Sequence, residues 1–454
     1  MPKELFGTDG IRGIPGKYPL DDATLFRAGV ALGEYLASHR DAGRPLRVLI
    51  GMDTRESGPG MAARIAQGLR AGGAEPVSAG ILTTPGIAYL VRTEDFSAGV
   101  VISASHNPYH DNGVKLISAR GMKFPDESEA QIEARILAAQ ESKCPVPETK
   151  FEKISTEATL HEDYLAALRT KLFGKKGLRG MKIVLDCANG AASALAPDLF
   201  RSLGAEVTAI HNHPDGRNIN ADCGSLHPKK MQEKTIAMGA DLGVAFDGDA
   251  DRAVFSTASG QYVDGDGVLF ACARYMRKTA ALKGDAIVGT SMANLGLERA
   301  LEREGLRLVR VPVGDRYVLE EMIRSGANLG GEQSGHIIFL DDSSAGDGML
   351  TAVKMASLVS IEGKLDQLVC DLKIFPQKIV NVRVGSKPPL DSLPGVSRAI
   401  AEAAKALGHS GRVVVRYSGT EPLARVMIEA ESAHDVERYS NSIASAIKSA
   451  IGAN

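Results

Sequence analysis

Three stretches of the chain share one order of hydrophobic and polar positions: an apolar strand, an amphipathic helix that ends at glycine, and a second apolar strand. The first stretch reads RPLRVLIGMD, PGMAARIAQGLRAGG and AEPVSAGIL. The same order returns in MKIVLDCA, ASALAPDLFRSLG and AEVTAIHN, and again in DAIVGTS, LGLERALEREG and LRLVRVPV. Glycine commonly ends a helix, and continuous apolar strands are typical of sheets covered on both faces. The pattern predicts three related α/β units.

Each unit continues with a further helix and strand, and a polar loop follows that strand. The loops read SASHNP in the first unit, DGDADR in the second and GEQSGH in the third. In open α/β sheets, ligand-binding groups collect at the carboxyl ends of the strands. We therefore expect each of the three related domains to contribute one of these loops to function.

The remainder of the chain has a different order of elements. QKIVNVRV alternates like a half-buried strand, SRAIAEAAKAL is helical, and RVVVRYSGTEPLARVMIEAES contains two strands around a polar turn. HDVERYSNSIASAIKSAI closes the chain as an amphipathic helix. This β-α-β-β-α order predicts a separate C-terminal α+β domain. The predicted domains are 1–155, 156–256, 257–372 and 373–454.

Composition narrows the range of partners. At about 150 residues for a typical domain, the 454 residues suggest three or four domains. A hydrophobic content of 44% and a charged content of 24% are ordinary for a folded soluble protein. The net charge of -2 gives no electrostatic argument for binding nucleic acid or an anionic membrane. Small anionic substrates remain compatible with this balance.

The cysteines and the N-terminus indicate a cytoplasmic protein. The five cysteines are odd in number, far apart and without paired spacing: Cys144, Cys187, Cys223, Cys272 and Cys370. This predicts reduced thiols, with neither a disulfide framework nor a zinc site. The start MPKELFGTDGIRG lacks the apolar core of a signal peptide, and no later apolar run approaches the length of a membrane span.

The loop DGDADR places Asp247, Asp249 and Asp251 at alternate positions. Three carboxylates this close repel one another unless a cation neutralises them, and ligation by oxygen alone suits Mg²⁺. An EF-hand is excluded, because Arg252 stands where its glycine belongs and Ala258 where its final glutamate belongs. The alternative is a solvated acidic turn. The apolar strand LGVAF directly before the loop favours the metal site.

The turn RYSGTEPLAR brings together five residues that suit phosphate: Arg416, Ser418, Gly419, Thr420 and Arg425. Guanidinium groups, hydroxyls and backbone N–H groups at a glycine can form a phosphate cradle. The alternative is a hairpin turn with ordinary surface arginines. The turn alone does not decide between them.

The loop GEQSGH offers Glu332, Ser334 and His336 between glycines. The carboxylate and the hydroxyl could bind sugar hydroxyls, while His336 could donate a hydrogen bond or carry a proton. A loop histidine with a purely structural role is the alternative.

The loop ISASHNP contains two serines of different expected roles. Ser105 lacks the Gly-x-Ser-x-Gly elbow, so an acyl-transfer hydrolase has little support. A serine that accepts a phosphoryl group needs a cation on the transferring oxygens, positive side chains and a group that takes the hydroxyl proton. His106, Asn107 and Lys115 are nearby candidates. We interpret Ser103 as a hydroxyl at the end of a strand, and N-capping is the alternative for Ser105.

Seven stretches, in this order, are similar to one known family. They are FGTDGIRG at 6–13, ISASHNP at 102–108, DNGVKL at 111–116, DGDADR at 247–252, VGDRYVLEEM at 313–322, GGEQSGH at 330–336 and RYSGTEPLARVMIE at 416–429. Together they resemble the α-D-phosphohexomutase superfamily along essentially the whole chain, and the closer similarity is to its bacterial phosphoglucosamine mutase family. Ala250 stands where many members have glycine. It lies between the aspartates and should not alter the metal site.

The resemblance implies a fold and a metal-bound phosphoserine. The fold would be three α/β domains with mixed sheets plus the C-terminal α+β domain, arranged around a central active-site cleft. Ser105 would be the phosphoserine. It would hold one Mg²⁺ ion together with Asp247, Asp249 and Asp251.

The resemblance also implies catalytic residues near the transferring phosphoryl group. Arg12 and Lys115 would lie there, and Lys115 is a candidate for proton transfer. His106 and His336 would be site residues of less defined role.

Substrate contacts are implied in the same way. Glu332 and Ser334 would contact sugar hydroxyls, and the turn at 416–425 would hold the distal phosphate.

The implied activity is an isomerase reaction on a small sugar phosphate. The phosphoserine would convert glucosamine 6-phosphate into a 1,6-bisphosphate and then into glucosamine 1-phosphate, which feeds UDP-N-acetylglucosamine and cell-wall synthesis. Glucosamine or glucose 1,6-bisphosphate would act as activator, and a homodimer is one candidate assembly. The alternatives are a phosphomannomutase or phosphoglucomutase with the same mechanism, a sugar-phosphate sensor without catalysis, and a phosphomonoesterase.

Overall fold

The computed structural model describes most of the chain. The described residues are 4–7, 9–39, 46–142, 145–147, 154, 156–157, 159–174, 176–418 and 422–453. Contacts between residues divide the chain into two compact units. The first unit is Met1–Ser291 with Val309–Val369, and the second is Met292–Leu308 with Cys370–Asn454.

The N-terminal part of the first unit forms a mixed sheet with helices. Its elements are β1 (Ile11–Gly13), α1 (Asp22–Ser38), β2 (Arg47–Met52), α2 (Gly58–Ala71), β3 (Glu75–Ile81), α3 (Thr84–Thr93), β4 (Ala98–Ile102), β5 (Asn112–Ser118) and α4 (Asp126–Glu141). The strand order is β1-β5-β4-β2-β3. β2 pairs parallel with β3 and β4, whereas β5 pairs antiparallel with β4 and β1. Val48 and Ile50 share a core with Ile65 and Leu69, so α2 packs on this face of β2.

A second mixed sheet follows along the chain. Its elements are α5 (Thr159–Arg169), β6 (Lys182–Asp186), α6 (Ala192–Ser202), β7 (Glu206–Ile210), α7 (Lys229–Ala237), β8 (Leu242–Phe246), β9 (Ala253–Thr257) and β10 (Tyr262–Val263). The strand order is β10-β9-β8-β6-β7. β6 pairs parallel with β7 and β8, and β9 pairs antiparallel with β8 and β10.

A third sheet has four strands. The elements from here to residue 368 are α8 (Gly265–Lys278), β11 (Ala286–Thr290), α9 (Leu295–Arg303), β12 (Arg307–Val311), α10 (Asp315–Ser325), β13 (Leu329–Gly331), β14 (Ile337–Phe339), α11 (Gly348–Glu362) and α12 (Leu365–Leu368). The strand order is β12-β11-β13-β14. β13 is parallel to β11 and antiparallel to β14. The helix α9 belongs to the second unit.

The three sheets share one topology. In each sheet the first strand of the repeat (β2, β6 or β11) lies between the second (β3, β7 or β12) and the third (β4, β8 or β13). A fourth strand (β5, β9 or β14) pairs antiparallel with the third. The prediction of three related α/β domains with mixed sheets is therefore confirmed. The carboxyl ends of the three third strands lead into the loops that begin at Ser103, Asp247 and Glu332.

The C-terminal part of the second unit is an α+β fold. Its elements are β15 (Gln377–Arg383), α13 (Pro394–Leu407), β16 (Gly411–Tyr417), β17 (Leu423–Ala430) and α14 (Ala433–Ile451). The sheet is antiparallel with β17 in the centre. Val396 and Ile443, from the two helices, pack with Val382 and Val426 in one core. The predicted β-α-β-β-α order is confirmed, and the four predicted domain ranges stay predictions.

In the described part of the chain, no helix is both long enough and apolar enough to cross a membrane.

Candidate active site

Ser105 lies on the loop that leaves the buried strand β4. Its backbone has a φ of 51°, in the left-handed region that residues with a side chain rarely adopt, and only 3% of the residue is exposed. The backbone N–H of Ser105 donates to Oγ of Ser103 at 2.9 Å, and Oγ of Ser103 donates to Oδ2 of Asp53 at 2.5 Å. Ser103 therefore has a structural contact in this loop. Its hydroxyl helps to hold Ser105 in the left-handed conformation.

Two further side chains hold the backbone of the same loop. Arg55, which is paired with Asp53, donates to the carbonyl oxygens of Ser105 at 3.2 Å and Asn107 at 2.6 Å. Nδ2 of Asn220 donates to the same two carbonyl oxygens at 2.9 and 3.0 Å. Arg55 follows β2, whereas Asn220 follows β7. The loop of Ser105 is thus fixed by residues from both the first and the second repeat.

The aspartate loop lies directly against Ser105. Oγ of Ser105 donates to Oδ2 of Asp247 at 2.7 Å. One carboxylate oxygen from each of Asp247, Asp249 and Asp251 lies within 4.8 Å of the others, and all three residues are buried. Gly248 permits this approach, because a Cβ there would lie 2.5 Å from the carbonyl oxygen of Ser105.

The oxygens of this cluster suit a hard cation. Among the described residues, Oδ1 of Asp249 and Oδ1 of Asp251 are buried without a hydrogen-bond partner. Buried carboxylate oxygens without donors are costly, and a divalent cation bound by several oxygens would satisfy them. The three aspartates and the hydroxyl of Ser105 together form such a set. The cluster therefore fits a metal ion.

The pKa values of the cluster report the same crowding of negative charge. Burial raises the pKa of Asp247 well above its ordinary value, and the charges of Asp251 and Asp249 raise it further. For Asp251, burial also acts to raise the pKa, but the hydrogen bond and charge of His336, with the charges of Lys115 and Arg252, bring it below the ordinary range. A bound cation would favour the charged form of all three carboxylates.

Lys115, on β5, is the buried cation beside this cluster. Its Nζ lies 3.1 Å from Oδ2 of Asp249 and 3.1 Å from Oδ2 of Asp9. Burial opposes the positive charge, but Asp249, Asp9 and Asp251 outweigh it and raise the pKa of Lys115. Oδ2 of Asp249 also accepts a hydrogen bond from Oγ1 of Thr84 at 2.6 Å. Lys115 therefore lies beside the proposed metal ligands as an ammonium ion.

His106 is a second neighbour of the Ser105 hydroxyl. Its Nδ1 lies 3.3 Å from Oγ of Ser105. Burial and the charge of Arg252 lower its pKa, although Asp251 and Asp249 act in the opposite direction. The lowered pKa favours a neutral imidazole next to the serine hydroxyl.

His336 connects the third loop to the aspartates. Its Nδ1 lies 3.6 Å from Oδ2 of Asp251, and its Nε2 lies 3.9 Å from Oδ2 of Asp315. Burial opposes protonation, but Asp251, Asp315 and Glu332 raise the pKa of His336 to about 9. Oε1 of Glu332 accepts from the backbone N–H of Gly314 at 3.1 Å. Oγ of Ser334 lies 3.5 Å from Oε2 of Glu332.

These loops border one cavity of about 690 Å³ within the first unit. Six of the residues predicted for the site line this cavity: Arg12, Ser105, His106, Asp251, Glu332 and His336. Asp251 among them is a predicted metal ligand. Arg12 is paired with Asp9 at 2.5 Å. A cavity with these dimensions and convergent charged groups suits a small anionic ligand.

The turn at 416–425 lies in the second unit. Gly419 and Thr420 fall outside the described residues. Arg416 on β16 and Arg425 on β17 are directly opposed in the antiparallel ladder. Near the turn, the carbonyl oxygen of Ser418 accepts a hydrogen bond from Nζ of Lys387 at 2.6 Å. The predicted phosphate-binding role of this turn stays a prediction.

Four family models match consecutive parts of the chain. Those of the phosphoglucomutase/phosphomannomutase alpha/beta/alpha domains I, II and III match residues 3–143, 162–260 and 264–374, and that of the C-terminal domain matches residues 379–446. The phosphoglucosamine mutase of Solibacter usitatus is 51% identical over 453 residues, which is 100% of both chains. That of Staphylococcus aureus is 42% identical over 455 residues and covers 99% of each.

The chain belongs to the bacterial phosphoglucosamine mutase family. Similar solved structures show the fold of the wider superfamily. A phosphoglucomutase/phosphomannomutase family protein from Burkholderia thailandensis has a TM-score of 0.79 at 24% identity and covers 98% of this chain and 97% of its own. An N-acetylglucosamine-phosphate mutase has a TM-score of 0.64 at 17% identity, with 99% and 98% covered.

Some contacts of this phosphoglucosamine mutase family member were not predicted from the sequence. Asp9, Arg252 and Asp315 line the cavity and stand inside motifs already quoted, so their charge was the available signal. Arg55 follows the carboxyl end of β2, a position that favours ligand-binding groups. No sequence pattern indicated Asn220, because its side chain donates to backbone carbonyl oxygens of a loop that is distant in the chain.

Proposed function

We propose that this protein interconverts glucosamine 6-phosphate and glucosamine 1-phosphate through a phosphoserine at Ser105. The observation that carries the proposal is the hydrogen bond of 2.7 Å from the buried hydroxyl of Ser105 to Asp247, at the edge of the three-aspartate cluster. A serine in this position has the cation site that phosphoryl transfer requires. The relatives over the full chain length, which are named phosphoglucosamine mutase, support this substrate.

Asp247, Asp249 and Asp251, with an oxygen on Ser105, would hold one Mg²⁺ ion. The ion would neutralise charge on the transferring phosphoryl oxygens. Oδ1 of Asp249 and Oδ1 of Asp251 are buried and have no hydrogen-bond partner within the described part of the chain, which supports this assignment. The choice of Mg²⁺ rests on the all-oxygen donor set.

The reaction has two phosphoryl transfers. In the first, O1 of glucosamine 6-phosphate bonds to the phosphorus of phosphoserine and the bond from phosphorus to Oγ of Ser105 breaks. The O1 proton leaves to a base, and the released Oγ gains a proton. The product is glucosamine 1,6-bisphosphate. After this intermediate has turned around, Oγ of Ser105 loses its proton and takes the 6-phosphoryl group, and the released O6 gains a proton. The net change is an isomerisation.

Charged residues around Ser105 would serve both transfers. Arg12 lines the cavity with Ser105 and would bind phosphoryl oxygens. Lys115 lies beside Asp249 and, as an ammonium ion, would stabilise the same charge and donate a proton. His106 lies 3.3 Å from Oγ of Ser105, within reach of the hydroxyl proton.

The third loop and the C-terminal turn would bind the rest of the substrate. Glu332 and Ser334 would contact sugar hydroxyls, and His336 would add a cation near Asp251. The distal phosphate would bind between Arg416 and Arg425. Arg416 and Arg425 are partners in the antiparallel ladder, and guanidinium groups form strong paired hydrogen bonds with phosphate oxygens.

We assign the remaining partners on the same basis. Glucosamine or glucose 1,6-bisphosphate would restore the phosphate on Ser105 when it has been lost, and so would act as activator. We place the protein in the cytoplasm, where sugar phosphates are made, and the proposed product would enter UDP-N-acetylglucosamine synthesis. A homodimer is the assembly we propose to test first.

Initial rates on the 6-phosphates of glucosamine, glucose and mannose, measured side by side, test the substrate. We expect the highest kcat/KM for glucosamine 6-phosphate and slower turnover of glucose 6-phosphate. A preference for glucose or mannose would make the protein a phosphoglucomutase or phosphomannomutase with the same chemistry. Release of inorganic phosphate in place of the 1-phosphate would instead indicate a phosphomonoesterase.

A further inference from the structure

A second cluster of metal-ligating side chains lies in the second repeat. Asp186 is the last residue of β6, His211 follows β7, and Cys223 lies in the segment before α7. One ligand atom from each of the three residues lies within 4.8 Å of the others. Asp186 and Cys223 are buried, and His211 is partly buried. None of these residues belongs to the three-aspartate cluster.

The imidazole of His211 has an unusual contact with Asp186. Its Nδ1 lies 3.0 Å from Oδ2 of Asp186. Nevertheless this nitrogen is buried and makes no hydrogen bond among the described residues, so the two groups are close without the alignment of a hydrogen bond. Two ligands at about 2.0–2.1 Å from one tetrahedral cation are separated by roughly 3.3 Å. The observed separation is close to that value.

Asp186 is already oriented by the backbone. Its Oδ1 accepts from the N–H of Ala188 at 3.0 Å, and its Oδ2 accepts from the N–H of Gly224 at 3.1 Å. These bonds fix the carboxylate and leave it further lone pairs. Hydrogen bonds of this kind orient ligands in protein metal sites. The ring nitrogen of His211 beside this carboxylate adds a second metal-ligating atom, 3.0 Å from Oδ2.

We propose that Asp186, His211 and Cys223 bind a divalent cation of borderline softness, of which Zn²⁺ is the type. A thiolate, an imidazole and a carboxylate are the donors that Zn²⁺ takes, and together they select against Mg²⁺. Three protein ligands leave one tetrahedral position for water. The all-oxygen aspartate cluster prefers harder cations, so the two sites differ in the metal they select.

The ligands come from three separate segments of the chain, so a bound cation would join them. The segment that contains Cys223 also carries Asn220, which donates to the carbonyl oxygens of Ser105 and Asn107. The cation would therefore stiffen the support of the Ser105 loop without touching the substrate. Such a site does not need paired cysteine spacing. Because the sequence lacks that spacing, it predicted no zinc site here.

Cobalt(II) titration tests the proposal, because a cysteine thiolate bound to Co²⁺ gives a charge-transfer absorption that oxygen ligands do not give. Metal-free protein is titrated in excess Mg²⁺, which occupies the hard site. We expect one equivalent of Co²⁺ to produce the band in wild-type protein. The band should be lost in Cys223→Ser and retained in Asp249→Asn. It should also be retained in Cys272→Ser, which removes another buried thiol, 3.6 Å from Sδ of Met355.

A second measurement needs no variant. X-ray absorption of the zinc-loaded wild-type protein should show one sulfur neighbour together with nitrogen or oxygen neighbours. No charge-transfer band in wild-type protein, an unchanged band in Cys223→Ser, or a band lost equally in Cys272→Ser would overturn the proposal. If Cys223→Ser does not fold, a zinc shell of oxygen and nitrogen alone in the wild-type protein would overturn it. None of these readouts depends on mutase activity.

Discussion

Oγ of Ser105 and Oδ2 of Asp247 are 2.7 Å apart, although they come from different repeats of the fold. The contact forms because β4 and β8 each end at the same point of their repeat, and the loops that follow them meet. The proposed nucleophile, Ser105 of one repeat, thereby lies against the metal-ligand candidates of the next.

Asp249→Asn should weaken Mg²⁺ binding and lower kcat by orders of magnitude. The substitution keeps the size of the side chain but removes charge from an oxygen site that suits a hard cation. Calorimetric titration of Mg²⁺ and steady-state rates measure the two effects. Asp198→Asn, on the exposed surface of α6, is the matched control and should behave like wild-type protein. A wild-type rate that chelators leave unchanged would rule out the metal.

Asn220→Gly should lower kcat more than it changes KM. The variant removes both hydrogen bonds to the loop of Ser105, and glycine tolerates the φ of 58° at this position. Two hydrogen bonds at about 0.5–1.5 kcal/mol each amount to roughly 1–3 kcal/mol, or about 5- to 150-fold in rate.

The control for Asn220→Gly is Asp222→Gly. Asp222 lies in the same segment, has a φ of 50° and is exposed. Its replacement should leave kcat near the wild-type value. Equal losses in both variants would show that the segment as a whole, and not the side chain of Asn220, supports the loop.

Arg425→Ala should weaken binding of both the 1-phosphate and the 6-phosphate. Only one phosphoserine is proposed, so the opposite phosphate must bind the same cradle in both orientations. Loss of one charged hydrogen bond costs about 1.5–3 kcal/mol. The variant should also release more bisphosphate per turnover, and added bisphosphate should partly restore its rate.

Arg438→Ala removes an exposed arginine of α14 in the same unit and should have no such effect. Binding constants for the two monophosphates and the amount of free bisphosphate are measured for both variants and for wild-type protein. Loss of affinity for one monophosphate alone, with no additional free bisphosphate, would show that the turn is not a shared cradle.

Asp347 should make stability depend on pH. Burial raises the pKa of this carboxyl to about 6, although the backbone N–H of Leu350 and the hydroxyl of Tyr164 donate to it. Because the folded pKa exceeds the unfolded value, the folded state binds more protons between the two values. The contribution of Asp347 is then most favourable below about pH 4 and is lost as the pH rises through about 6.

Asp347→Asn should remove this dependence. Relative to wild-type protein, the variant should gain stability between about pH 4 and pH 7, by up to about 3 kcal/mol for a shift of about two pKa units. Melting temperatures of both proteins, measured across this range, give the comparison. A difference between them that does not change with pH would show that Asp347 keeps an ordinary pKa.

The repeats could be predicted because apolar strands, and glycines that end helices, are visible in short stretches of sequence. The strands that end before Ser103 and Asp247 are buried, and the sequence marks them as continuous apolar segments. Carboxylates at alternate positions likewise predicted the cluster at Asp247. The structure adds that two of its buried oxygens lack hydrogen-bond partners among the described residues.

Contacts between distant segments could not be predicted in this way. The raised pKa of His336 depends on Asp251, Asp315 and Glu332, which come from the aspartate loop, the start of α10 and the loop of His336 itself. Asn220 donates to backbone carbonyl oxygens, and because every residue has such an oxygen, the sequence does not indicate the partner. Cys223 has no paired cysteine spacing, so its position beside Asp186 depends on the fold alone.

Intact-mass measurement of the purified protein shows directly whether Ser105 carries phosphate. We expect part of the wild-type protein to have one added phosphate, which peptide mapping assigns to Ser105. Ser105→Ala should lack this mass and nearly all mutase activity. Ser103→Ala should keep the phosphate, because its hydroxyl contacts Asp53 and the backbone of Ser105 and is not the acceptor. Full mutase activity in Ser105→Ala would contradict the phosphoserine mechanism.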